Sequence, residues 1–247
     1  MVSSDGWLPF SRHHPRVGLP LFCLPYAGGG AAAFRQWREA LSPAIDPLAV
    51  EFPGRGSRLR DAPFRRVDDI ATAAVQALEA EWQRPYALFG HSLGAFVAFE
   101  MTRLLQRDGT PPVHLFVSGS RAPHLPPPAD PAYRLDGAAL RERLTEWGGL
   151  ADSVLDEPEL FAILEPGLRA DLEAAETYQC SSVDDLRVPI TAFGGIDDHL
   201  ALPDAVAQWS GHTSAHFAVR VLAGGHFFVR DSRPQLLDII RQALHRR

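Results

Sequence analysis

The stretch Gly90-His91-Ser92-Leu93-Gly94 fits the pattern G-x-S-x-G, and its flanks turn that pattern into a structural expectation. Before it, Tyr86-Ala87-Leu88-Phe89 is a short apolar run of strand character. After it, apolar residues recur at Leu93, Val97, Met101 and Leu104, a helical spacing of three and four. Strand, tight turn and helix in that order describe a nucleophile elbow, in which a serine on a strained turn exposes its hydroxyl above a sheet. Gly90 and Gly94 are needed two residues either side because a Cβ there would crowd the turn.

The same grammar extends in both directions. Residues 21–24 read as a buried strand running into Tyr26-Ala27-Gly28-Gly29-Gly30, followed by a helix with Phe34, Trp37 and Leu41 on one face. A strand over 48–52 ends at Pro53-Gly54-Arg55-Gly56. Asp68 or Asp69 can cap a helix in which Ile70, Ala74, Leu78 and Trp82 recur every four residues, and Pro85 stops it before the elbow strand. Beyond the elbow helix, Asp108-Gly109 leads to a strand over 113–117. Strands alternating with helices predict an α/β fold, a mostly parallel sheet with helices on both faces.

Residues from about 120 to 186 break the alternation. They hold a proline run, Pro126-Pro127-Pro128, and helical segments over 138–147 and 159–178, the second interrupted at Pro166-Gly167, but no strand. This segment reads as a helical lid inserted over the sheet's C-terminal edge; a plain connection with no gating role is the alternative. Alternation resumes with a strand over 188–193, a helix over 204–209, a strand over 215–222 and a last helix over 235–244. The first 20 residues are polar, with Trp7, Leu8 and Phe10 as anchors and His13 and His14 as a solvated pair. One domain over residues 1–247 is expected.

Composition narrows the function. At 247 residues and 46% hydrophobic, the chain is ample for a large core, and a net charge of -6 gives no electrostatic case for nucleic acid. Cys23 and Cys180 match no metal spacing, and Cys23 reads as a small buried hydrophobe. No apolar run suggests a secretory signal or a membrane span, so a reducing cytoplasmic setting is expected.

A serine hydroxyl is a poor nucleophile at neutral pH and needs a base, held in turn by an acid. On this architecture the acid and then the histidine follow the serine, each in a loop after a strand. His226, in Gly224-Gly225-His226-Phe227-Phe228, stands in the histidine's place. For the acid, Asp197 and Asp198 compete in Gly194-Gly195-Ile196-Asp197-Asp198-His199. The loop pattern G-x-x-D from Gly195 favours Asp198 and leaves Asp197 to solvent, although spacing alone does not separate them. An oxyanion hole needs two backbone N–H donors; those of Leu93, after the nucleophile, and Ala27, after the first strand, are the candidates. The glycine run at 28–30 lacks the spacing and the lysine of a phosphate loop.

The chain resembles a type II thioesterase, the stand-alone editing hydrolase of polyketide and nonribosomal peptide synthesis, on the α/β-hydrolase fold. The matching pieces are Leu24 to Gly29, Phe52-Pro53-Gly54-Arg55-Gly56, Phe89 to Ala95, the loop from Gly195 to Asp198, and Gly225-His226-Phe227-Phe228. They span nearly the whole chain in the family's order; Ser57, where many relatives carry an acidic residue, is one departure. The resemblance implies hydrolysis of acyl thioesters from the phosphopantetheine arm of acyl or peptidyl carrier proteins, clearing stalled or wrongly loaded groups. Phosphopantetheine then arrives with the substrate, no metal or diffusible cofactor is needed, no membrane is involved, and a monomer is the simplest state. Arg55, Arg58, Arg60, Arg65 and Arg66 could meet an acidic carrier by charge alone, or simply be a solvated run. Trp147, Leu150, Leu155 and Phe161 could line an acyl pocket or pack the lid. A general esterase and a chain-terminating thioesterase or cyclase on the same fold are the competing readings.

Overall fold

A computed structural model describes residues 4–11, 18–149, 154, 157–180 and 186–245; His13, His14, Leu150 and Leu155 lie outside the described residues. Among those described, six strands pair into one sheet: β1 (Leu19–Leu24), β2 (Ile45–Ala49), β3 (Ala87–His91), β4 (Leu115–Ser118), β5 (Ile190–Gly195) and β6 (Phe217–Leu222). Their order is β2-β1-β3-β4-β5-β6, and every pairing is parallel. The chain thus starts in the interior of the sheet, steps to one edge, and returns across β1 to build the other side. The order reverses between β1 and β3, and in open α/β sheets ligands bind at such a point, outside the strands' carboxyl ends.

Parallel strands are buried on both faces, so they read as continuous apolar runs. One face packs α3 (Val67–Ala77) and α4 (Leu93–Arg107) through Ile70, Ala74, Val97 and Phe99. The other packs α2 (Trp37–Leu41) and α9 (Arg233–His245) through Trp37, Leu41, Leu236 and Ile240. A short N-terminal helix, α1 (Ser4–Trp7), buries Trp7 on the first of these cores. Among the described residues no helix is long and apolar enough to cross a membrane.

Several boundaries differ from the sequence expectation. The second strand lies earlier, over Ile45–Ala49, and includes Pro47; it is an edge strand, where a missing N–H is tolerated. Asp68 and Asp69 are not caps: Arg66 is the N-cap residue of α3, and the two carboxylates sit in the first turn, favourably placed against the helix dipole. Leu78 ends α3 as its C-cap residue, Trp82 falls in a 3-10 continuation, Glu79–Gln83, and both stay buried.

The segment between β4 and β5, read from the sequence as a lid and so named, contains α5 (Gly137–Trp147) and α6 (Pro158–Thr177). Asp136 caps α5, accepting from the N–H groups of Ala138 and Ala139 at 3.0 and 2.9 Å, and Gly148 closes it in the left-handed region. Pro166 does not interrupt α6, which runs 20 residues through it. Packing offsets the missing hydrogen bond, because Phe161, Leu168 and Leu172 bury into a small core with Leu140 and Leu144 of α5. After β5 come α7 (Pro203–Ala207) and a 3-10 turn, Gln208–His212; after β6 come α8 (Phe228–Asp231) and α9.

Candidate active site

Ser92 sits between the end of β3 and the start of α4 with φ 55° and ψ −116°, and among the described residues no other non-glycine residue has a positive φ. A side chain held there against its preference marks a turn that the surroundings over-determine. Those surroundings are close. A Cβ on Gly90 would lie 2.0 Å from the Gly94 carbonyl oxygen, and one on Gly94 would lie 2.2 Å from that of Leu24. The N–H of Ser92 donates to the Ser118 carbonyl at 2.8 Å, fastening the elbow to the neighbouring strand.

Asp198 follows β5 and is buried, while Asp197 beside it is exposed. Its Oδ1 accepts from the N–H groups of Leu200 and Ala201 at 2.9 and 3.0 Å, and its Oδ2 faces His226 Nδ1 at 2.9 Å. Burial pushes this carboxyl up. The hydrogen bond and charge of His226, with the two backbone N–H groups, more than reverse that, and the carboxyl lies below its usual range. His226 follows β6; Phe227 and His91 pack against its ring, and Tyr26 packs in turn against Phe227 and His91.

The cavity beside these groups has a volume of about 430 Å³ and is lined by Ser92 and His226 together with Ala27, Phe96, Arg121, Trp147, Leu172 and Leu200. A smaller recess of about 50 Å³ shares Ser92, His226, Ala27 and Trp147 and adds Tyr26, Leu144 and Phe227. The structure therefore gathers Ser92, His226 and Ala27 on one cavity, with Asp198 behind the imidazole. Leu93 is buried at the first position of α4, so its N–H lies at a helix N-terminus, where partial positive charge gathers. Among the described residues neither the Ala27 nor the Leu93 N–H donates to a backbone acceptor in the loop contacts. Trp147 reaches the cavity, whereas Phe161 is buried in the lid's own core.

Two features escaped the sequence. His91 is fully buried with Nδ1 2.9 Å from Ser118 Oγ, its ring 5.2 Å from that of His226. Burial, then the neighbouring His226, hold its pKa well below the ordinary histidine value. The arginine run, in turn, is largely engaged within the protein. Arg55 is buried in an ion pair with Asp171 of α6, Arg58 lies over the Trp7 ring and pairs with Asp61, Arg65 pairs with Glu173, and Arg66 with Asp68. A proline-glycine-bounded arginine was the only signal of Arg55's role, and nothing in the sequence marked Asp171. Among the described residues no cluster of three or more His, Cys, Asp or Glu could hold a metal ion.

Comparison with known proteins bears on the family and the fold. A model of the thioesterase domain matches residues 19–244. Thioesterase PikA5 of Streptomyces venezuelae is 38% identical over 98% of this chain and 87% of its own length. Among solved structures, the RedJ thioesterase of the prodiginine pathway in Streptomyces coelicolor is 40% identical, covering 96% of this chain and 92% of that one, with a TM-score of 0.85. BorB, a type II thioesterase of the borrelidin cluster, is 37% identical over 94% of each chain with a TM-score of 0.86. Matched across nearly its full length by a family model and by relatives of this kind, the chain belongs to the thioesterase family and shares the α/β-hydrolase architecture of its type II members.

Proposed function

We propose that this thioesterase releases acyl groups from the phosphopantetheine arm of carrier proteins in polyketide or nonribosomal peptide synthesis, using Ser92, His226 and Asp198. The observation that supports this most directly is the hydrogen bond between Asp198 Oδ2 and His226 Nδ1, with His226 and the strained Ser92 on the same cavity. Asp198 fixes the imidazole with its proton on Nδ1, leaving Nε2 to take the Ser92 proton as Oγ attacks the thioester carbonyl. The N–H groups of Leu93 and Ala27 receive the developing oxyanion, helped by the N-terminal end of the 15-residue α4.

Collapse of the tetrahedral intermediate breaks the carbon–sulfur bond. The thiol leaves with the proton from His226, and an acyl ester remains on Ser92 Oγ. Water, deprotonated by His226, then attacks that ester and releases the free acid. Every proton moves through His226, so the mechanism needs no metal or diffusible cofactor. A cavity of about 430 Å³ lies within the ordinary range for small-molecule sites. Residues 1–247 act as one domain under the lid, as a monomer in the cytoplasm beside the synthases.

The test presents one acyl group three ways: on a carrier protein, as a short phosphopantetheine-like thioester, and as an oxygen ester. The carrier-bound thioester should be cleaved best, and Ser92→Ala should abolish its cleavage. Preference for the oxygen ester would point to a general esterase, and activity surviving in Ser92→Ala would overturn the choice of nucleophile.

A further inference from the structure

One buried ion pair beside the cavity takes no part in the chemistry above. Asp171 lies on lid helix α6 and is 1% exposed. Its Oδ2 accepts the Gly28 N–H at 2.8 Å, and its Oδ1 accepts from Arg55 Nη2. Arg55 also donates to the carbonyls of Gly29 at 3.1 Å and Pro53 at 3.3 Å, with its guanidinium 5.1 Å from the Phe52 ring centroid. Further along the same loop, Glu51 accepts the Ala31 N–H at 3.1 Å, and a Cβ on Gly30 would lie 2.5 Å from its Oε1. One turn before Asp171 on α6, a Cβ on Gly167 would lie 2.5 Å from the Gly54 carbonyl oxygen, so the helix meets the segment after β2 backbone to backbone.

Those at Gly28, Gly29, Gly30 and Ala31 fall on the loop that follows β1, and those at Phe52, Pro53 and Gly54 on the segment that follows β2. Gly28-Gly29-Gly30 has the widest backbone freedom of any tripeptide, and Gly28 itself is at φ +74°. The loop is nevertheless held at Gly28 N–H, Gly29 carbonyl and Ala31 N–H, all by charged side chains. The Ala27 N–H, one peptide before the first of these, is left for the cavity. We propose that Asp171, itself held by Arg55, is a positioning residue: it fixes the Ala27–Gly28 peptide so that the Ala27 N–H faces the oxyanion, and thereby ties the lid helix to the reaction. The proposal rests on Ser92 as nucleophile and Ala27 as oxyanion donor.

Removing one buried charge alone would leave its partner unpaired and threaten folding, whereas replacing both with neutral groups is often tolerated. The decisive comparison is therefore between two doubly substituted full-length proteins. Arg55→Met with Asp171→Asn keeps an acceptor for the Gly28 N–H; Arg55→Met with Asp171→Leu does not. Each is assayed for kcat and KM on an acyl-carrier thioester, for melting temperature, and for inhibition by butylboronic acid, whose tetrahedral serine adduct uses the oxyanion donors. The leucine protein should lose on the order of 10²-fold in kcat, the scale set by displacing a catalytic group by about 1 Å. Its KM should barely change, and boronate inhibition should weaken in parallel with kcat. The asparagine protein should recover most of both at a similar melting temperature.

Equal kcat and boronate affinity in the two proteins, or losses that follow melting temperature alone, would overturn the positioning role. Ser92→Ala, run alongside, separates the two levels. If it is inactive while the Asp171 variants match each other, the mechanism stands and only the positioning role falls. If it is active, the mechanism falls and the positioning role falls with it.

Discussion

Asp198→Asn should slow this enzyme far more than the loss of one charge suggests, because the loop dictates which end of the new amide faces His226. Asp198 Oδ1 accepts two backbone N–H groups, from Leu200 and Ala201, while Oδ2 faces His226 Nδ1 at 2.9 Å. The asparagine carbonyl will take the Oδ1 position, which turns the NH₂ toward His226. Nδ1 must then accept, the ring proton moves to Nε2, and Nε2 can no longer take the proton of Ser92. The productive tautomer requires the amide to flip its NH₂ onto two N–H donors, at about 1–3 kcal/mol for each hydrogen bond lost. A penalty of about 4 kcal/mol leaves roughly one molecule in 10³ productive, since each 1.36 kcal/mol is a factor of ten. A fall of about 10³ to 10⁴ in kcat is therefore expected, in line with the effect of this change in a serine-histidine-aspartate triad. Single-turnover release of acid from an acylated carrier reads it, with circular dichroism to show that the variant is folded. The exposed Asp197→Asn serves as control and should be close to wild type. A kcat for Asp198→Asn within tenfold of wild type, or a larger loss in Asp197→Asn, would refute the assignment of the acid.

Three further outcomes are expected of the same site and its surroundings. Gly90→Ala places a Cβ 2.0 Å from the Gly94 carbonyl oxygen in a buried turn; it should cost about 3 kcal/mol or more, at or beyond the upper end for overpacking, seen as a lower melting temperature with activity lost. Because the Asp198 carboxyl lies lower in the folded chain than unfolded, it stabilises the fold above its unfolded pKa of about 3.9, and that contribution fades as pH falls through the folded value. The stability gap between wild type and Asp198→Asn in urea titrations should accordingly narrow below about pH 4, and a gap that widens there would contradict the shift. Trp147→Ala enlarges both the main cavity and the small recess; it should change KM across a series of acyl-chain lengths while leaving the melting temperature nearly unchanged, and a uniform loss of kcat would place the indole elsewhere in the cycle.

Much of the fold was legible because parallel strands buried on both faces leave continuous apolar runs that no surface helix would carry. Residues 21–24 and 86–89 read as strands on that signal, and β1 and β3 contain most of them. The elbow was legible because its glycines are required by distances of 2.0 and 2.2 Å to backbone oxygens. What the pattern could not reach were the local decisions that tertiary packing takes. Pro166 reads as a helix break, yet the pull of Phe161, Leu168 and Leu172 into the lid core carries α6 past it. Asp68 and Asp69 read as caps, yet the chain enters α3 at Arg66 and leaves them in the first turn.

Charge was legible only as charge. Five arginines between residues 55 and 66 suggest a surface for an acidic partner, and sequence offers no way to tell one from another. What separates them is the company each keeps once folded. Arg65 and Arg66 remain exposed in ion pairs that solvent weakens. Arg55 is buried against Phe52 and Asp171, where an unpaired charge would be costly to keep. A buried pair of this kind is weak grounds for stability, since apolar groups could fill the same space. Its partners here lie on the lid helix and on the glycine loop beside Ser92, two segments whose backbone-to-backbone distance the apolar packing of Ala27 on the lid core does not by itself direct. Holding that distance is a task for directed hydrogen bonds to backbone groups, which apolar side chains cannot supply. The polar pair is therefore better explained by geometry at the reaction centre than by the stability of the fold.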